Sequence, residues 1–465
     1  MSFVKSLFRT KPMDNYPLRQ TSLRRCLSAF DLTLMGIGAI VGAGIFVLTG
    51  IAAATKAGPA VIFSYILSGL ACGFTAFAYA ELSSSIGGCG SAYGYSFAGL
   101  GELIAWLIGW DLLLEYSVAC AAVAIGWSGY VSNVFTAIGI PIPKALTTNP
   151  FEGGIVNLPA MIIILLLTYL LSAGIRESAR INKLVVFIKL AVIVLFIVLA
   201  AFHFNPSANW HPFLPFGFSG IASGAALVFF AYIGFDAVST AAEEAVNPQR
   251  DLPRGIIASL LICTLLYIIV AALLTAAVPY TELNVSSPIT YALLKMGYKF
   301  GGAIVALGAI AGLSTVILVM YYGLTRIFLA MSRDGLLPSV LAAVNAKTQT
   351  PIRIIVIAGI VMAIVAGLTP IQRVAELTNI GTLAAFTLVS LGVLVLRYTK
   401  PNMPRPFKTP LSPIVPILGI LLCGYLMASL SPVTWESFLI WTLIGLVVYF
   451  GYSRSRSVLS KKSGF

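Results

Sequence analysis

Apolar runs alternate with short polar stretches along almost the whole chain. They fall at about 30–53, 60–84, 101–136, 156–174, 182–203, 219–242, 255–279, 301–331, 352–369, 376–397, 412–430 and 435–453. A helix crosses a bilayer with roughly 20 apolar residues, so the pattern predicts an all-α integral membrane protein with 12 transmembrane helices. The third and eighth runs are longer than a vertical helix needs and are expected to tilt. The first run follows a polar stretch, and no small-residue cleavage site precedes the second, so it reads as a span and not as a signal peptide.

Two of these runs are poorly suited to an unbroken helix. Gly36-Ile37-Gly38-Ala39-Ile40-Val41-Gly42-Ala43-Gly44-Ile45-Phe46 places repeated glycines in a helix interior, where each costs about 1 kcal/mol relative to alanine. Irregular backbone persists at membrane depth only where it is buried in protein or lines a polar cavity. A comparable interruption recurs at Phe229-Phe230-Ala231-Tyr232-Ile233-Gly234-Phe235-Asp236. Paired interruptions in two halves of a chain mark the central binding site of a transporter. If they correspond, spans one to five (30–203) and six to ten (219–397) are two repeats. Five is odd, so the second enters the membrane from the opposite side. Residues 412–453 add two peripheral spans, and 1–29 and 454–465 are tails.

Composition narrows the class further. Hydrophobic residues make up 59% and charged residues only 10%, against about 25% charged in soluble domains. A net charge of +13 suggests nucleic acid, but the positive-inside rule accounts for it better. With the N-terminus in the cytoplasm, the inner side holds the tail residues Lys5, Arg9, Lys11, Arg19, Arg24 and Arg25, the loop residues from Arg176 to Lys408, and the C-terminal Arg454, Arg456, Lys461 and Lys462. Lys56, Lys144, Lys295, Lys299 and Arg373 fall outside, and Lys189 and Arg326 lie within spans. The basicity therefore reports topology, with both ends inside, and no nucleic-acid partner is expected. Cys26, Cys72, Cys89, Cys120, Cys263 and Cys423 avoid the outside loops, so no disulfide framework is indicated. The two histidines, His203 and His211, lie near an outside loop with no metal-ligand spacing or nucleophile motif. No enzyme activity, metal or cofactor is expected.

The first interruption has a definite chemistry. A half-helix ending near Ile40 leaves carbonyls unpaired, and one starting near Gly42 leaves N–H groups unpaired, with helix dipoles reinforcing each sign. An α-amino acid needs that pair: donors from Gly42, Ala43, Gly44 and Ile45 for its carboxylate, and the Ile40 carbonyl for its ammonium group. Phe230, Ala231 and Ile233 supply further carbonyls. The alternative is close helix packing through small residues. Phe230 and Tyr232 either fill the core or close over substrate. Lys189 lies roughly 9 Å into span five at 1.5 Å per residue; it is functional or snorkels to the surface. Glu115, near mid-membrane, touches the substrate ammonium, carries a proton, or is a protonated core acid. Asp236 reads as the N-cap of the second half of span six. Arg326 snorkels or pairs with an acid, and Met320 narrows the pocket or fills the core.

An ordered series of motifs carries a family resemblance from about Leu23 to Gly451. After the glycine-rich segment come Gly58-Pro59-Ala60, Tyr79-Ala80-Glu81-Leu82 with Gly90-Ser91-Ala92-Tyr93, and Gly109-Trp110-Asp111 with Glu115-Tyr116. Phe230 to Pro253 follows, with Glu243-Glu244, Asn247-Pro248 and Arg250-Asp251-Leu252-Pro253, then Ser332-Arg333-Asp334-Gly335-Leu336-Leu337-Pro338. The chain resembles the amino acid–polyamine–organocation transporters, and among them bacterial relatives of the cationic amino acid transporter family. The resemblance implies a LeuT-type fold, a 5 + 5 inverted repeat with two peripheral helices. It implies that Phe230 is a gate. It also implies that Lys189 takes the place of a coupling sodium ion, opposite Ser314 and Thr315, which match the hydroxyl pair that binds sodium in related transporters. The expected activity is proton-coupled uptake of neutral L-amino acids such as alanine by alternating access, in the cell membrane. Cationic amino acid transport, amino acid exchange and a non-transporting sensor are the alternatives. The expected partners are amino acid, protons and lipid; whether a small membrane partner is needed is left open by the sequence.

Overall fold

The computed structural model describes residues 7–11, 27–86, 91–174, 179–242, 244–341, 343–345, 347–348 and 350–462. Cys26, Cys89, Gly90, Arg176, Glu243 and the basic residues Lys5, Arg19, Arg24 and Arg25 lie outside them. Among the described residues there is no strand, only isolated bridges such as Leu27 with Ala245. Each apolar run read from the sequence coincides largely with helix, the first and sixth being broken inside the run.

The first run is α1 (Ala29–Ile40) followed, after a break, by α2 (44–57). Ser28 starts α1 with a capping box: its hydroxyl accepts from the Asp31 N–H, and the Asp31 carboxylate accepts from the Ser28 N–H at 3.0 Å. α2 begins and ends in wider π-type turns and stops at Gly58, whose φ of +63° few other residues adopt. Then come α3 (Val61–Ser85), α4 (Ser91–Gly99), α5 (Glu102–Ala137), α6 (Leu158–Ser172) and α7 (Ala179–Ala201). The second half holds α8 (Gly217–Val228), α9 (Ala237–Thr240), α10 (Pro248–Ala277), α11 (Pro288–Lys295), α12 (Lys299–Arg333), α13 (Ile352–Leu368) and α14 (Ile371–Thr399). α15 (Ile414–Ala428) and α16 (Pro432–Val448) close the chain.

Among the described residues, eight helical stretches are long and apolar enough to cross a membrane, and α1, α6, α13 and α15 are shorter apolar helices. The burial pattern agrees with a lipid environment. Leu165, Tyr169, Phe187, Val194, Leu261, Leu265, Leu421 and Leu443 face outward, whereas water would favour polar groups there. The interior instead holds the polar residues, including Glu81, Glu102, Glu115, Lys189 and Asp236. This inversion belongs to a multi-pass membrane protein.

α5 packs against α12 and α14, and α10 packs against α3 and α1. At one end, α1 is tied to α7 by an ion pair between Asp31 and Lys183. α3 is tied to α14 there by a two-pronged pair of Arg397 with Glu81, at 3.1 and 2.7 Å.

Candidate functional site

The two interrupted segments meet in the centre of the bundle. α1 stops at Ile40, Val41 turns to an extended conformation, and the helix restarts at Gly44. The second interruption falls inside the expected segment 229–236, in its later half. Phe229–Tyr232 tightens into a 3₁₀ turn and stays helical, so the chain opens at 233–236, with Ile233 extended and Gly234 at φ +114°. α9 is then only one turn long. The segments touch through backbone: a Cβ on Gly44 would stand 2.2 Å from Ala231 Cα, and one on Gly234 would stand 3.0 Å from the Ala39 carbonyl.

A cavity of about 10 Å³, enough for a water molecule, lies at this junction. Ile40, Gly42, Ala43, Gly44, Phe230, Ile233 and Met320 line it, with Ala39, Ala119, Val123 and Val316, which sequence reasoning missed. Ile45, Ala231, Tyr232 and Glu115 are not among the lining residues. The Ile45 carbonyl accepts from the Thr49 hydroxyl at 3.0 Å, and the Tyr232 hydroxyl donates to the Tyr65 carbonyl at 2.8 Å. In this conformation the space is far too small for an amino acid, so binding requires the surrounding helices to part.

Tyr267 on α10 was also missed. Its hydroxyl donates to the Ile40 and Ala231 carbonyls, both at 2.9 Å, and so joins the two interruptions through one proton. A tyrosine within the otherwise apolar run 255–279 was the available signal. Asn379 on α14 donates to the Ala226 and Leu227 carbonyls at 2.7 and 3.1 Å, reaching the last turn of α8 from a neighbouring span.

Lys189 is fully buried and donates to the Gly38 carbonyl at 2.7 Å and the Val41 carbonyl at 3.2 Å. Snorkelling is therefore ruled out. The stem fits because Gly312 on α12 has no side chain: a Cβ there would stand 2.8 Å from Lys189 Cγ. Ser314 departs from the expected grouping, since its hydroxyl accepts from the Trp127 indole at 2.9 Å and donates to Ile310. The Thr315 hydroxyl donates to the Gly312 carbonyl at 2.9 Å, one turn from the lysine stem.

Glu115 lies on α5 one turn before the cavity-lining Ala119, beside Asp236 and Thr382. Asp236 occupies the start of α9 but makes no side-chain cap there; Tyr116 donates to its Oδ2 at 3.4 Å, and its Oδ1 has no hydrogen-bond partner. The capping role expected for it is corrected accordingly. Arg326 lies over the Tyr322 ring at 4.6 Å on a partly exposed face of α12, away from the cavity. Among the described residues, no group of three or more His, Cys, Asp or Glu is placed to hold a metal ion.

The family profile described as amino acid permease matches residues 27–449. The chain is 50% identical to a methylthioribose transporter of Bacillus subtilis strain 168, across 98% of this chain and 100% of that protein. It is 49% identical to the branched-chain amino acid permease BcaP of the same organism, across 98% and 99%. It is 38% identical to the vacuolar cationic amino acid transporter 4 of Arabidopsis thaliana, across 86% of this chain and 68% of that one. These relatives are transporters, and transporters are not enzymes.

Proposed function

The chain belongs to the amino acid permease family, and we propose that it is a secondary active transporter that takes up neutral L-amino acids, driven by protons. The observation that carries this reading is the junction of the two interruptions at one cavity. Backbone donors at Gly42–Gly44 and acceptors at Ile40 and Ile233 suit a zwitterion, and Val123, Val316 and Met320 offer an apolar wall for its side chain. Tyr267 donates to the carbonyl that the ammonium group would use, so it satisfies that acceptor while the site is empty. Spans one to five and six to ten form the two inverted repeats, and with the two peripheral spans α15 and α16 they make twelve crossings with both ends in the cytoplasm of the cell.

Proton coupling is assigned to Lys189. Protonated, its amine holds α7 to the end of α1 through charge-assisted bonds to the Gly38 and Val41 carbonyls; deprotonation removes the charge and so weakens that hold. A ligand shifts a two-state equilibrium only through its different interaction with the two states, and this contact supplies one. No acidic residue adjoins Ser314 and Thr315 in the sequence to complete a sodium site. The buried group of Glu115, Asp236 and Tyr116 is the second candidate for the proton route.

Uptake of labelled L-alanine into proteoliposomes tests the reading, with alanine, leucine, arginine, lysine and methylthioribose as competitors. Alanine and leucine should compete and the cationic pair should not; Met320→Ser should admit arginine or lysine by widening the wall. Methylthioribose is the second reading, favoured by the relative that transports it at 50% identity. Competition by it alone would overturn the amino acid assignment.

A further inference from the structure

After the first break, α2 restarts in a wide π-type turn over Gly44–Leu48, in which the Thr49 N–H donates to the Gly44 carbonyl five residues back. Turns of this kind are rare in helices and concentrate at functional sites. Three successive carbonyls of this one are met by side-chain hydroxyls. Thr49 Oγ1 lies 3.2 Å from the Gly44 oxygen and 3.0 Å from the Ile45 oxygen. Tyr65 Oη, reaching in from α3, lies 3.3 Å from the Gly44 oxygen, and Tyr130 on α5 donates to the Phe46 carbonyl at 2.7 Å. Thr49 and Tyr65 are fully buried, and neither lines the central cavity.

The Thr49 and Tyr65 hydroxyls also stand 2.6 Å apart. A hydroxyl has one proton to donate and two lone pairs with which to accept. One of the pair therefore donates to the other, which passes its own proton to a carbonyl of the turn. In either arrangement the backbone is reached through both groups, and the two act as a unit. Tyr65 is held in turn from the second interruption. Tyr232 donates to the Tyr65 carbonyl at 2.8 Å, and the Tyr65 ring packs on those of Tyr232 and Tyr267, at 6.3 and 5.4 Å between centroids.

Peptide geometry links these bonds to the site. A trans peptide is planar, so its C=O and N–H point in opposite directions. The Gly44 carbonyl shares its peptide with the Ile45 N–H, and hydroxyls that draw the carbonyl along α2 aim that N–H back at the break. The next N–H, that of Phe46, donates to the Gly42 carbonyl at 3.3 Å, so the series of donors offered to a carboxylate ends at Ile45. Given the amino acid reading of the central cavity, on which this rests, we propose that Thr49 and Tyr65 are positioning residues for substrate. Together they set the Gly44–Ile45 peptide, and so the N–H that receives the amino acid carboxylate, without touching the substrate themselves.

The test is uptake of labelled L-alanine by the full-length protein in proteoliposomes, with thermal unfolding of the same variants. Thr49→Val keeps the outline of the side chain without its hydroxyl, and Tyr65→Phe does the same on α3. Each should raise KM by about three- to tenfold, the span of one intramolecular hydrogen bond, with the maximal rate unchanged. Thr49→Ser keeps the hydroxyl and should retain the wild-type KM. The double variant should be no worse than the poorer single one, since either loss already breaks the unit; effects that multiply would overturn it. Earlier unfolding with unchanged KM in both single variants would mark a purely structural role and overturn the assignment. A Thr49→Ser KM as high as that of Thr49→Val would overturn it too, as would a lower maximal rate at unchanged KM. Wild-type protein that takes up no amino acid would overturn the functional reading and this role with it. Normal wild-type uptake with indifferent variants would overturn the positioning role alone.

Discussion

The two interrupted segments are answered by different chemistry. At the first, the Gly38 and Val41 carbonyls accept from a lysine and the Ile40 carbonyl from a tyrosine. At the second, the Ala226 and Leu227 carbonyls accept from an amide and the Ala231 carbonyl from the same tyrosine. Both are stabilised by side chains reaching in from neighbouring helices, as buried backbone acceptors require. Of these donors, only the lysine at the first interruption carries an amine whose charge depends on a bound proton. The second interruption is held by neutral groups and by Tyr267, which it shares with the first. Proton dependence should therefore enter through α1 and reach the second segment through Tyr267 and the backbone contacts at Gly44 and Gly234.

Breaking that contact has the largest expected effect. Gly44→Val places a side chain where Ala231 Cα already stands, 2.2 Å from the new Cβ. Overpacking costs about 1–3 kcal/mol where side chains can shift, and here the obstacle is backbone. Thermal unfolding of the purified variant should come at markedly lower temperature, with transport lost; wild-type behaviour would mean that the segments are not in contact. Tyr267→Phe comes next, since it removes one hydroxyl shared by two acceptors. A buried acceptor left unsatisfied costs about 1–3 kcal/mol. The variant should lose most alanine transport while still responding to pH through Lys189, as pH profiles of uptake would reveal. Asn379→Ala has the smallest effect on coupling. It should lower stability by a similar 1–3 kcal/mol and leave the pH profile of transport unmoved; a displaced profile would place a proton route at the second interruption.

The legible part of this architecture is the part written in local pattern. Glycines at 36, 38, 42 and 44 within an apolar run announced the first break, and the structure opens there, at Val41. The second break was legible only as the segment 229–236: Phe229–Tyr232 contains no strong breaker and tightens into a 3₁₀ turn, and the chain opens at Ile233 and Gly234 within that segment. Tyr267 and Asn379 were missed because their partners lie in distant spans and no periodicity records which carbonyl a hydroxyl or amide will meet. Lys189 stood out as a charge in a span, yet its full burial depends on Gly312, a residue with no sequence relation to it. Ser314 was grouped with Lys189 by resemblance, whereas its hydroxyl is engaged by Trp127 on α5. In each case sequence specified the side chain, and helix packing chose its partner.

The central claim is that the amine of Lys189 converts a proton gradient into movement of the first interrupted segment. It is tested most directly by accumulation of labelled L-alanine in proteoliposomes under an inward proton gradient, comparing wild type with Lys189→Ala. Wild-type accumulation should rise with the gradient and be indifferent to replacing sodium by potassium. The variant should lose gradient-driven accumulation while still binding alanine, measured as thermal stabilisation by the substrate. Accumulation by Lys189→Ala that still follows the pH gradient would contradict the account and move the proton route to Glu115 and Asp236.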